Sequence, residues 1–279
     1  MIAVMDSKIA IVIVLYNEMP PSYVGSIDKA QVILVDNTPG RDLGIDMHCV
    51  TYLPLYKNLG IAKALNVGFK KAQEFSADWV LTMDQDSILP TNILSEFQKY
   101  IPHLDKPAVL APQLNMYDGE NKQPSDDYEE LTEALTSGSL ISMESWCESG
   151  GFREDLFIDG VDSEYCKHVR LLGYHVYQIN SVVMQHQLGR TQEIKFFGKH
   201  LFYVTHHNYL RHYYMQRNSL EIARMYYGKL PENQSRISIP YKSILKIIFF
   251  EDNKLLKLWA RYQGFCDYKK RKFGEYKGL

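Results

Sequence analysis

The 279-residue sequence has few cysteines, and they are not arranged as metal ligands or as a redox pair. Cys49, Cys147, Cys166 and Cys266 are widely scattered, with no C-x-x-C pair and no zinc-ligand spacing. Secreted disulfide scaffolds and zinc-binding modules show the opposite pattern. The cysteine usage therefore predicts a protein of a reducing compartment, and we expect a cytoplasmic location.

Neither a strong overall charge nor a membrane-length apolar run is present. The formal net charge is −2, so the total charge does not indicate a nucleic-acid partner. The apolar stretch at residues 9–16 is too short to span a bilayer, and Asn17-Glu18 ends it. It also lacks a basic leader and a small-residue cleavage site, so it predicts a buried strand.

Glycine-rich nucleotide-binding motifs are missing as well. Gly60 opens a predicted helix, and backbone N–H groups at a helix start favour a phosphate. The segment matches neither G-x-G-x-x-G nor G-x-x-x-x-G-K-[ST], so it supports neither a dinucleotide site nor a P-loop. Taken alone, a plain helix start capped by Asn58 is the simpler interpretation.

The first half of the chain alternates strand and helix patterns. Strands are predicted over residues 9–15, 31–35, 50–56 and 79–83, and helices over 61–75 and 91–100. Pro54 makes the third strand an edge strand or a bent one. This alternation predicts an α/β fold with a largely parallel sheet that helices cover on both faces.

The second half is less regular. After a strand near residues 108–111, the polar residues 116–130 predict a loop. A strand broken by Gly138 is predicted over 135–142, a helix over 163–172, and a further strand within 174–185.

Asp84-Gln85-Asp86 is the most informative feature, because it follows the strand predicted at 79–83. Two carboxylates this close repel each other and raise each other's pKa unless a positive group lies between them. A divalent metal ion usually provides this positive group, since Mg2+ commonly joins one or two carboxylates to a phosphate. A solvated turn with two helix-capping acids is the alternative, because Ser87 and Pro90 follow.

Polar residues also follow two other strands, as Asn17-Glu18 and Asp36-Asn37. In a parallel sheet these ends share the edge at which nucleotides bind. A carboxylate such as Asp36 can accept a hydrogen bond from a base N–H or a ribose hydroxyl. An Asx turn before Pro39 is the structural alternative.

In their order and spacing, these motifs resemble those of family-2 nucleotide-sugar glycosyltransferases with the GT-A fold. The first-half motifs are Asn17-Glu18, Asp36-Asn37, Asn58-x-Gly60-x-Ala62-x-x-x-Asn66 and Asp84-x-Asp86. The second-half motifs are similar to the rhamnosyltransferase branch, and they are Ser137-Gly138-Ser139, Gly150-Gly151-Phe152, Asp159-x-Val161-Asp162-x-Glu164, His186-x-x-Gly189 and Tyr213-Tyr214-x-x-Arg217-Asn218. The resemblance implies a GT-A fold with a Rossmann-like, mostly parallel central sheet and a C-terminal helical extension.

The resemblance also implies a donor site. Asp36 would contact the base, Asp84 the ribose or donor sugar, and Arg217 the diphosphate. The other donor-site residues that it implies are Tyr16, Asn17, Glu18, Asn37, Asn58, Gly60, Lys63, Gln85, Gly138 and Ser139.

It implies catalytic and metal-binding roles in the same way. Asp86 and His186 would hold Mg2+ or Mn2+ on the diphosphate, and Asp162 would be the general base, with Glu164 beside it as the rival. Both acids begin a predicted helix, where the helix dipole alone would favour them. The sequence departs from the family after Cys166, where Lys167-His168 replaces the usual Leu-Arg, and Arg170 is a candidate substitute.

The implied activity is an inverting, metal-dependent sugar transfer in cell-surface polysaccharide synthesis. The donor would be dTDP- or UDP-linked, with dTDP-rhamnose as the expected donor from the branch resemblance, and the acceptor a saccharide or a lipid-linked saccharide. A haloacid-dehalogenase-like phosphatase is an alternative, because residues 80–87 resemble its strand-Asp-x-Asp entry, although no G-D-x-x-x-D motif follows. A non-catalytic nucleotide-sugar binding subunit is another.

We expect a GT-A domain over residues 1–200, with a nucleotide-binding half to about residue 110 and an acceptor half over 111–200, and a helical segment over 201–279. Residues 241–279 hold ten Lys/Arg and four Asp/Glu, a charge of +6, so the rest of the chain carries −8. Basic residues interleaved with aromatics suit an anionic membrane surface, here the inner face of the cytoplasmic membrane. A helix pair packed on the main domain is the alternative.

Overall fold

The computed structural model describes residues 7–27, 30–115, 126–185, 191–196, 199–231 and 241–278. The chain divides into two compact units. The first comprises Met1–Phe157 and Val161–His186, and the second comprises Ile158–Gly160 and Gln187–Leu279.

The first unit is built on an eight-stranded sheet. Its strands are β1 (Ile9–Leu15), β2 (Gln31–Asp36), β3 (Val50–Pro54), β4 (Trp79–Asp84), β5 (Pro107–Asn115), β6 (Tyr128–Leu131), β7 (Ser139–Ser142) and β8 (His175–Gln185). They lie in the order β3-β2-β1-β4-β7-β5-β8-β6, so β3 is at an edge, as Pro54 predicted. β7 is antiparallel to β4 and β5, and β6 to β8, whereas the other neighbours are parallel. The predicted α/β fold with a mostly parallel sheet is confirmed.

Helices cover both faces of this sheet. They are α1 (Ile61–Glu74), α2 (Ile93–Tyr100), α3 (Met143–Ser149) and α4 (Val161–Leu171). Ile11 and Ile13 of β1 lie in one core with Phe97 of α2. Val12 faces the other way, against α1, where a Cβ on Gly68 would lie only 2.5 Å from its Cγ1 atom. Because successive strand residues point to opposite faces, α1 and α2 lie on opposite sides.

The strands that carry the predicted site end level with one another. Leu15 at the end of β1 pairs with Asp36 at the end of β2, and Val14 pairs with Asp84 at the end of β4. The register therefore brings the polar segments after all three strands to one edge of the sheet, where α/β proteins bind their ligands.

Two predicted elements differ in the structure. Of the loop predicted over 116–130, residues 116–125 lie outside the described part, and Tyr128–Leu131 form β6. Its side chains are mostly exposed, so the strand lacks the apolar alternation that reveals strands in a sequence. The strand predicted over 135–142 begins only at Ser139, because Gly138 adopts a positive φ of 76° in the preceding turn.

The second unit contains a β-hairpin and the predicted C-terminal helices. β9 (Thr191–Phe196) pairs antiparallel with β10 (Lys199–Thr205), in which the expected boundary at residue 200 falls. The helices α5 (Tyr209–Tyr226), α6 (Tyr241–Phe250) and α7 (Lys254–Lys269) follow. Gly264 of α7 lets this helix approach α5 closely, since a Cβ there would lie 2.5 Å from the Tyr213 carbonyl oxygen. Within the described ranges, no helix is long and apolar enough to cross a membrane.

Candidate functional site

Hydrogen bonds join the ends of β1, β2 and β4 into one continuous edge. The Asn17 N–H donates to Thr38 Oγ1 at 2.8 Å and links the ends of β1 and β2. The Tyr16 N–H donates to Gln85 Oε1 at 2.7 Å, and Gln85 Nε2 donates to the Tyr16 carbonyl at 3.2 Å. Tyr16, Asn17 and Gln85, all predicted as site residues, are thus held together. Glu18 is exposed beside them.

Asp36 is fully buried, and four donors surround its carboxylate. Arg41 donates from Nε to Oδ2 at 2.6 Å and from Nη2 to Oδ1 at 2.9 Å. Tyr52 Oη donates to Oδ2 at 2.7 Å, and the Thr38 N–H donates to Oδ1 at 3.0 Å. Burial raises the pKa of Asp36, but the hydrogen bonds from Arg41, Tyr52 and Thr38 outweigh it and bring the pKa below its usual value.

These four donors use the capacity of the Asp36 carboxylate, which has about four lone-pair sites. Arg41 is therefore a candidate site residue that the sequence analysis missed. A guanidinium carries five N–H groups, and Asp36 accepts from only two of the nitrogens. The direct contact of Asp36 with a base stays a prediction.

Asn37 and Asn58 shape the start of α1. Asn37 Nδ2 donates to Asn58 Oδ1 at 3.1 Å, and Asn37 Oδ1 accepts from the Leu59 N–H at 2.8 Å. Asn58 Oδ1 also accepts from the Gly60 N–H at 3.0 Å. The expectation that Asn58 caps α1 is wrong, because Gly60 is the cap residue and the helix start has no side-chain cap. Asn58 instead forms a local Asx turn that ends before the helix.

The first turn of α1 packs against residues 152–157. The Ile61 N–H donates to the Phe157 carbonyl at 2.8 Å, and Lys63 Nζ lies 2.8 Å from Glu154 Oε2. A Cβ on Gly60 would lie 2.6 Å from the same Phe157 oxygen. The nucleotide contacts expected of Gly60 and Lys63 stay predictions.

Asp84 and Asp86 share their surroundings with Tyr23, which the sequence analysis did not single out. Tyr23 lies in a 3-10 turn, Ser22–Ser26, between β1 and β2. Burial, and then the charges of Asp84 and Asp86, raise its pKa to about 12. Its buried hydroxyl has no hydrogen-bond partner within the described ranges. No sequence signal links a tyrosine here to acids some 60 residues later.

The groups around Tyr23 fit a hard divalent cation that binds together with a diphosphate. Asp84 and Asp86 offer carboxylate oxygens, the ligands that Mg2+ prefers. In the part of the chain that the structure describes, no group of three or more His, Cys, Asp or Glu side chains is placed to hold a metal. Mg2+ usually completes its coordination with phosphate oxygens and water, so two carboxylates are enough. His186, the other predicted ligand, lies outside the described residues.

Gly138 and Ser139 are both buried next to β4. The Gly138 N–H donates to the Thr82 carbonyl at 2.7 Å, and Ser139 Oγ donates to the Leu135 carbonyl at 2.5 Å. Their neighbour Ser137 reaches the site segment, since its Oγ accepts from the Asp84 N–H at 3.2 Å. The roles predicted for Gly138 and Ser139 remain untested predictions.

Asp162 and Glu164 lie in the first turn of α4, as predicted. Asp162 is partly exposed, and its Oδ1 accepts from the Ser163 N–H at 2.9 Å, whereas Glu164 is buried. Burial raises the pKa of the nearby Cys166 thiol to about 12, with a smaller contribution from the Asp162 charge. Of the two acids, Asp162 is the one that a solvent-borne acceptor can reach. Arg170 donates to the Thr132 carbonyl at 3.3 Å.

Arg217 is fully buried in the second unit. Its Nη1 donates to the Gly274 carbonyl at 2.7 Å, and its Nε donates to Asn218 Oδ1 at 2.9 Å. The guanidinium also lies 5.0 Å from the ring centre of Tyr214. These contacts anchor the C-terminal residues on α5, and the diphosphate contact expected of Arg217 stays a prediction.

Comparisons with known proteins agree with the fold and with the order of these motifs. The sequence profile described as Glycosyl transferase family 2 matches residues 10–171, more than half of the chain. The dTDP-rhamnosyl transferase RfbF of Shigella flexneri is 27% identical over 245 residues, which cover 79% of this chain and 81% of that protein.

Solved structures of low sequence identity share the fold. The crystal structure of S. aureus TarS 1-349 in complex with UDP-GlcNAc is similar with a TM-score of 0.54 and 16% identity, over 95% of this chain and 81% of that chain. The mannosyltransferase PcManGT of Pyrobaculum calidifontis, in complex with GDP-Man and Mn2+, is similar with a TM-score of 0.51 and 12% identity, over 93% of this chain and 73% of that chain. The predicted GT-A fold is confirmed.

The family match also decides between the functions that the sequence left open. The match favours an enzyme that uses a nucleotide sugar over a haloacid-dehalogenase-like phosphatase and over a non-catalytic subunit. The chain belongs to glycosyltransferase family 2, and it is a nucleotide-sugar glycosyltransferase.

Proposed function

We propose that this enzyme is an inverting, metal-dependent glycosyltransferase that moves rhamnose from dTDP-rhamnose to a saccharide acceptor. The observation that carries the proposal is the hydrogen-bonded edge formed by the ends of β1, β2 and β4, which presents Asp84 and Asp86 close to Tyr23. The similarity to a dTDP-rhamnosyl transferase supports the choice of donor, and a UDP-linked donor is the other class that we would test.

The base of the donor lies, in this proposal, against the end of β2. Asp36 acts there by holding Arg41 with two charge-assisted hydrogen bonds, which fix the guanidinium in one orientation. The remaining N–H groups of Arg41 are then donors for the carbonyl oxygens of a pyrimidine. Tyr16 is exposed on the neighbouring strand end and offers an aromatic face.

The diphosphate lies, in this proposal, at the end of β4. Asp86, with Asp84 beside it, would hold Mg2+ or Mn2+, and the family resemblance implies His186 as a further ligand. Arg217 would neutralise the charge of the diphosphate. When bound, such a cation supplies charge neutralisation for the leaving diphosphate. The buried Tyr23 hydroxyl close to these acids stays protonated at neutral pH and so adds no negative charge to the site.

Asp162 is the proposed general base, with Glu164 as the rival. A carboxylate is suited to take the proton from an acceptor hydroxyl when the two are within hydrogen-bond reach. Attack from the face opposite the leaving diphosphate inverts the anomeric carbon in a single displacement, so one basic carboxylate is sufficient and no covalent intermediate forms. The partial exposure of Asp162 and the burial of Glu164 support this assignment.

The acceptor is, in this proposal, a saccharide or a lipid-linked saccharide of cell-surface polysaccharide synthesis. The enzyme would then work in the cytoplasm, peripherally on the inner face of the cytoplasmic membrane.

A ligand screen followed by a product analysis tests the proposal. A ligand that binds only the folded state raises the unfolding temperature by mass action. We expect dTDP and dTDP-rhamnose to raise it with Mg2+ or Mn2+ present and to lose most of this effect in EDTA, with smaller shifts for UDP and GDP. NMR of the transferred sugar should then show an inverted anomeric configuration. Equal shifts without a divalent metal, or a retained configuration, would overturn the proposal.

A further inference from the structure

Helix α7 buries two basic side chains at its middle and exposes most of its large apolar side chains. Lys257 and Arg261 are buried on this helix. Leu255, by contrast, is 85% exposed and Trp259 is 44% exposed. A surface helix of a globular protein normally has the opposite arrangement, with its apolar stripe toward the core.

A buried polar network holds α7 in this orientation. Lys257 Nζ donates to Glu251 Oε2 at 2.9 Å and to Asp252 Oδ1 at 2.6 Å. Arg261 Nη1 donates to Gln216 Oε1 of α5 at 3.0 Å. Turning α7 by half a revolution would bury its leucines but would separate two charged groups from these partners, and an unpaired buried charge is strongly destabilising. The outward apolar face is therefore imposed by the packing of the unit.

The outward face is broad and continuous along the helix. Leu255, Trp259 and Tyr262 follow one another at the four- and three-residue spacing of a single helix face. The rings of Trp259 and Tyr262 lie 5.5 Å apart. Leu256 and Phe265 widen the face, and at the end of α6 Phe249 is 66% exposed, close in the chain to Leu255. Large exposed apolar patches of this kind mark interaction surfaces.

Exposed basic side chains border this face. Lys254 precedes it at the start of α7, and Lys269, Lys270 and Lys272 follow it. Lys269 Nζ also lies 5.6 Å from the ring centre of Phe265. Lysine, tryptophan and tyrosine around an apolar stripe match the chemistry of a lipid headgroup layer, where cations meet anionic lipids and aromatic rings lie at the boundary.

We propose that the outward face of α7, together with Phe249 of α6, lies in the headgroup layer of an anionic bilayer. The occupant is a lipid surface, because basic side chains border the apolar face and because its Trp-Tyr pair suits the boundary between water and acyl chains. The helix lies along the surface, and α7 is too short to span it. This inference does not depend on the sugar, the base or the metal of the donor.

Trp259 provides a direct spectroscopic test. The chain has three tryptophans, and Trp79 and Trp146 are buried, so Trp259 is the exposed one. Vesicles of phosphatidylcholine with phosphatidylglycerol should shift the emission to the blue and sediment the protein, whereas vesicles of phosphatidylcholine alone should do neither. The Trp259→Phe variant should bind without the shift. Raising the salt concentration to about 1 M should weaken binding, since screening then acts within about 3 Å.

A matched pair of leucines distinguishes binding through this surface from nonspecific adsorption of the protein to vesicles. Leu256 on α7 is 45% exposed and Leu171 on α4 is 40% exposed. Leu256→Ser, alone or with Leu255→Ser, should lower the vesicle affinity by about tenfold per side chain, because each loses its transfer from water into lipid. Leu171→Ser should leave the affinity unchanged. Thermal-shift binding of dTDP should stay the same in all variants.

Three results would overturn the inference. One is equal sedimentation of the wild type and the Leu255/Leu256 variants with anionic vesicles. Another is an equal loss for Leu171→Ser. The third is light scattering that shows a wild-type dimer which these α7 substitutions split, because the face would then be a contact between two copies of the chain.

Discussion

Arg41 binds the buried carboxylate of Asp36 with two hydrogen bonds, of 2.6 and 2.9 Å, across only five residues of chain. Asp36 closes β2, and the loop that brings Arg41 back also supplies the Thr38 N–H to the same carboxylate. The pair therefore ties the loop after β2 to the sheet edge at which we propose the nucleotide binds.

Removing the guanidinium should destabilise the fold. We expect Arg41→Met to lower the free energy of unfolding by about 3 kcal/mol, because it leaves a buried charge without its main partner. Arg153→Met is the matched control, since Arg153 has similar exposure but pairs with the much more exposed Asp155, and it should cost less than about 1 kcal/mol. Urea unfolding measures both, and equal losses would contradict the prediction.

The same pair should make stability depend on pH. The pKa of folded Asp36 lies below its ordinary value, so its contribution is present above the unfolded-state pKa and is lost as the pH falls through the folded value. The stability gap between wild type and Arg41→Met should thus be constant near neutral pH and shrink below about pH 4. A gap that does not change on acidification would show that Asp36 is not its source.

Gly60 should be far less replaceable than Gly40, although both glycines have positive φ. Gly60 (φ 83°) and Gly40 (φ 67°) both have positive φ, but of the two only Gly60 would place a Cβ against the Phe157 backbone, at 2.6 Å. We expect Gly40→Ala to cost about 1–2 kcal/mol for the left-handed conformation alone. Gly60→Ala should cost at least about 2 kcal/mol more, because its ψ of 159° lies outside the left-handed region and because the segment around Phe157 has to move. Similar thermal unfolding of the two variants would show that the contact is easily relieved.

Asp86→Ala should remove metal-dependent donor binding while the fold persists. Asp86 is exposed, so its loss leaves no buried group unpaired. Calorimetric titration with dTDP should show that Mg2+ no longer increases the affinity, and the unfolding temperature should stay close to that of the wild type. Asp105→Ala, at another exposed aspartate, is the control and should retain the metal effect. Unchanged affinity in Asp86→Ala would remove Asp86 from the site.

Asp162→Asn should abolish transfer and spare donor binding. Asparagine keeps the Oδ1 that accepts from the Ser163 N–H, so the start of α4 should survive, but it cannot take up a proton. Loss of a positioned general base typically costs on the order of 100- to 10,000-fold in rate. Single-turnover transfer at saturating donor should show this loss in Asp162→Asn and a smaller one in Glu164→Gln. The reverse order would make Glu164 the base.

The local features of the first unit follow from the sequence. Apolar runs of strand length, ended by Asn17, Asp36 and Asp84, predict both the strands and the polar edge, because a parallel sheet has to place its strand ends together. Pro54 predicts an edge strand, and β3 lies at the sheet edge. Each of these inferences depends on residues that are close neighbours in the chain.

The partners of these residues depend on the tertiary structure. Tyr52 donates a hydrogen bond to Asp36 from a neighbouring strand. The charges of Asp84 and Asp86, some 60 residues further along the chain, contribute to the raised pKa of Tyr23. Asn58 has the chemistry of a capping residue, yet α1 begins only after Gly60. Strand register and chain packing determine such outcomes, and no local pattern encodes them.

Helix α7 shows most clearly the difference between what the sequence predicts and what the tertiary structure determines. Its composition, with leucines, aromatics and lysines, is evident in the sequence and left two alternatives, an anionic membrane surface or a helix pair packed on the main domain. Only the packed unit decides which face turns outward, because Lys257 and Arg261 find their partners in Glu251 and in Gln216 of α5. The sequence by itself determined the polar strand ends and the membership of the family. The tertiary structure alone decided which charges are paired and which apolar side chains face the solvent, because pairing and exposure arise from contacts between separate segments of the chain.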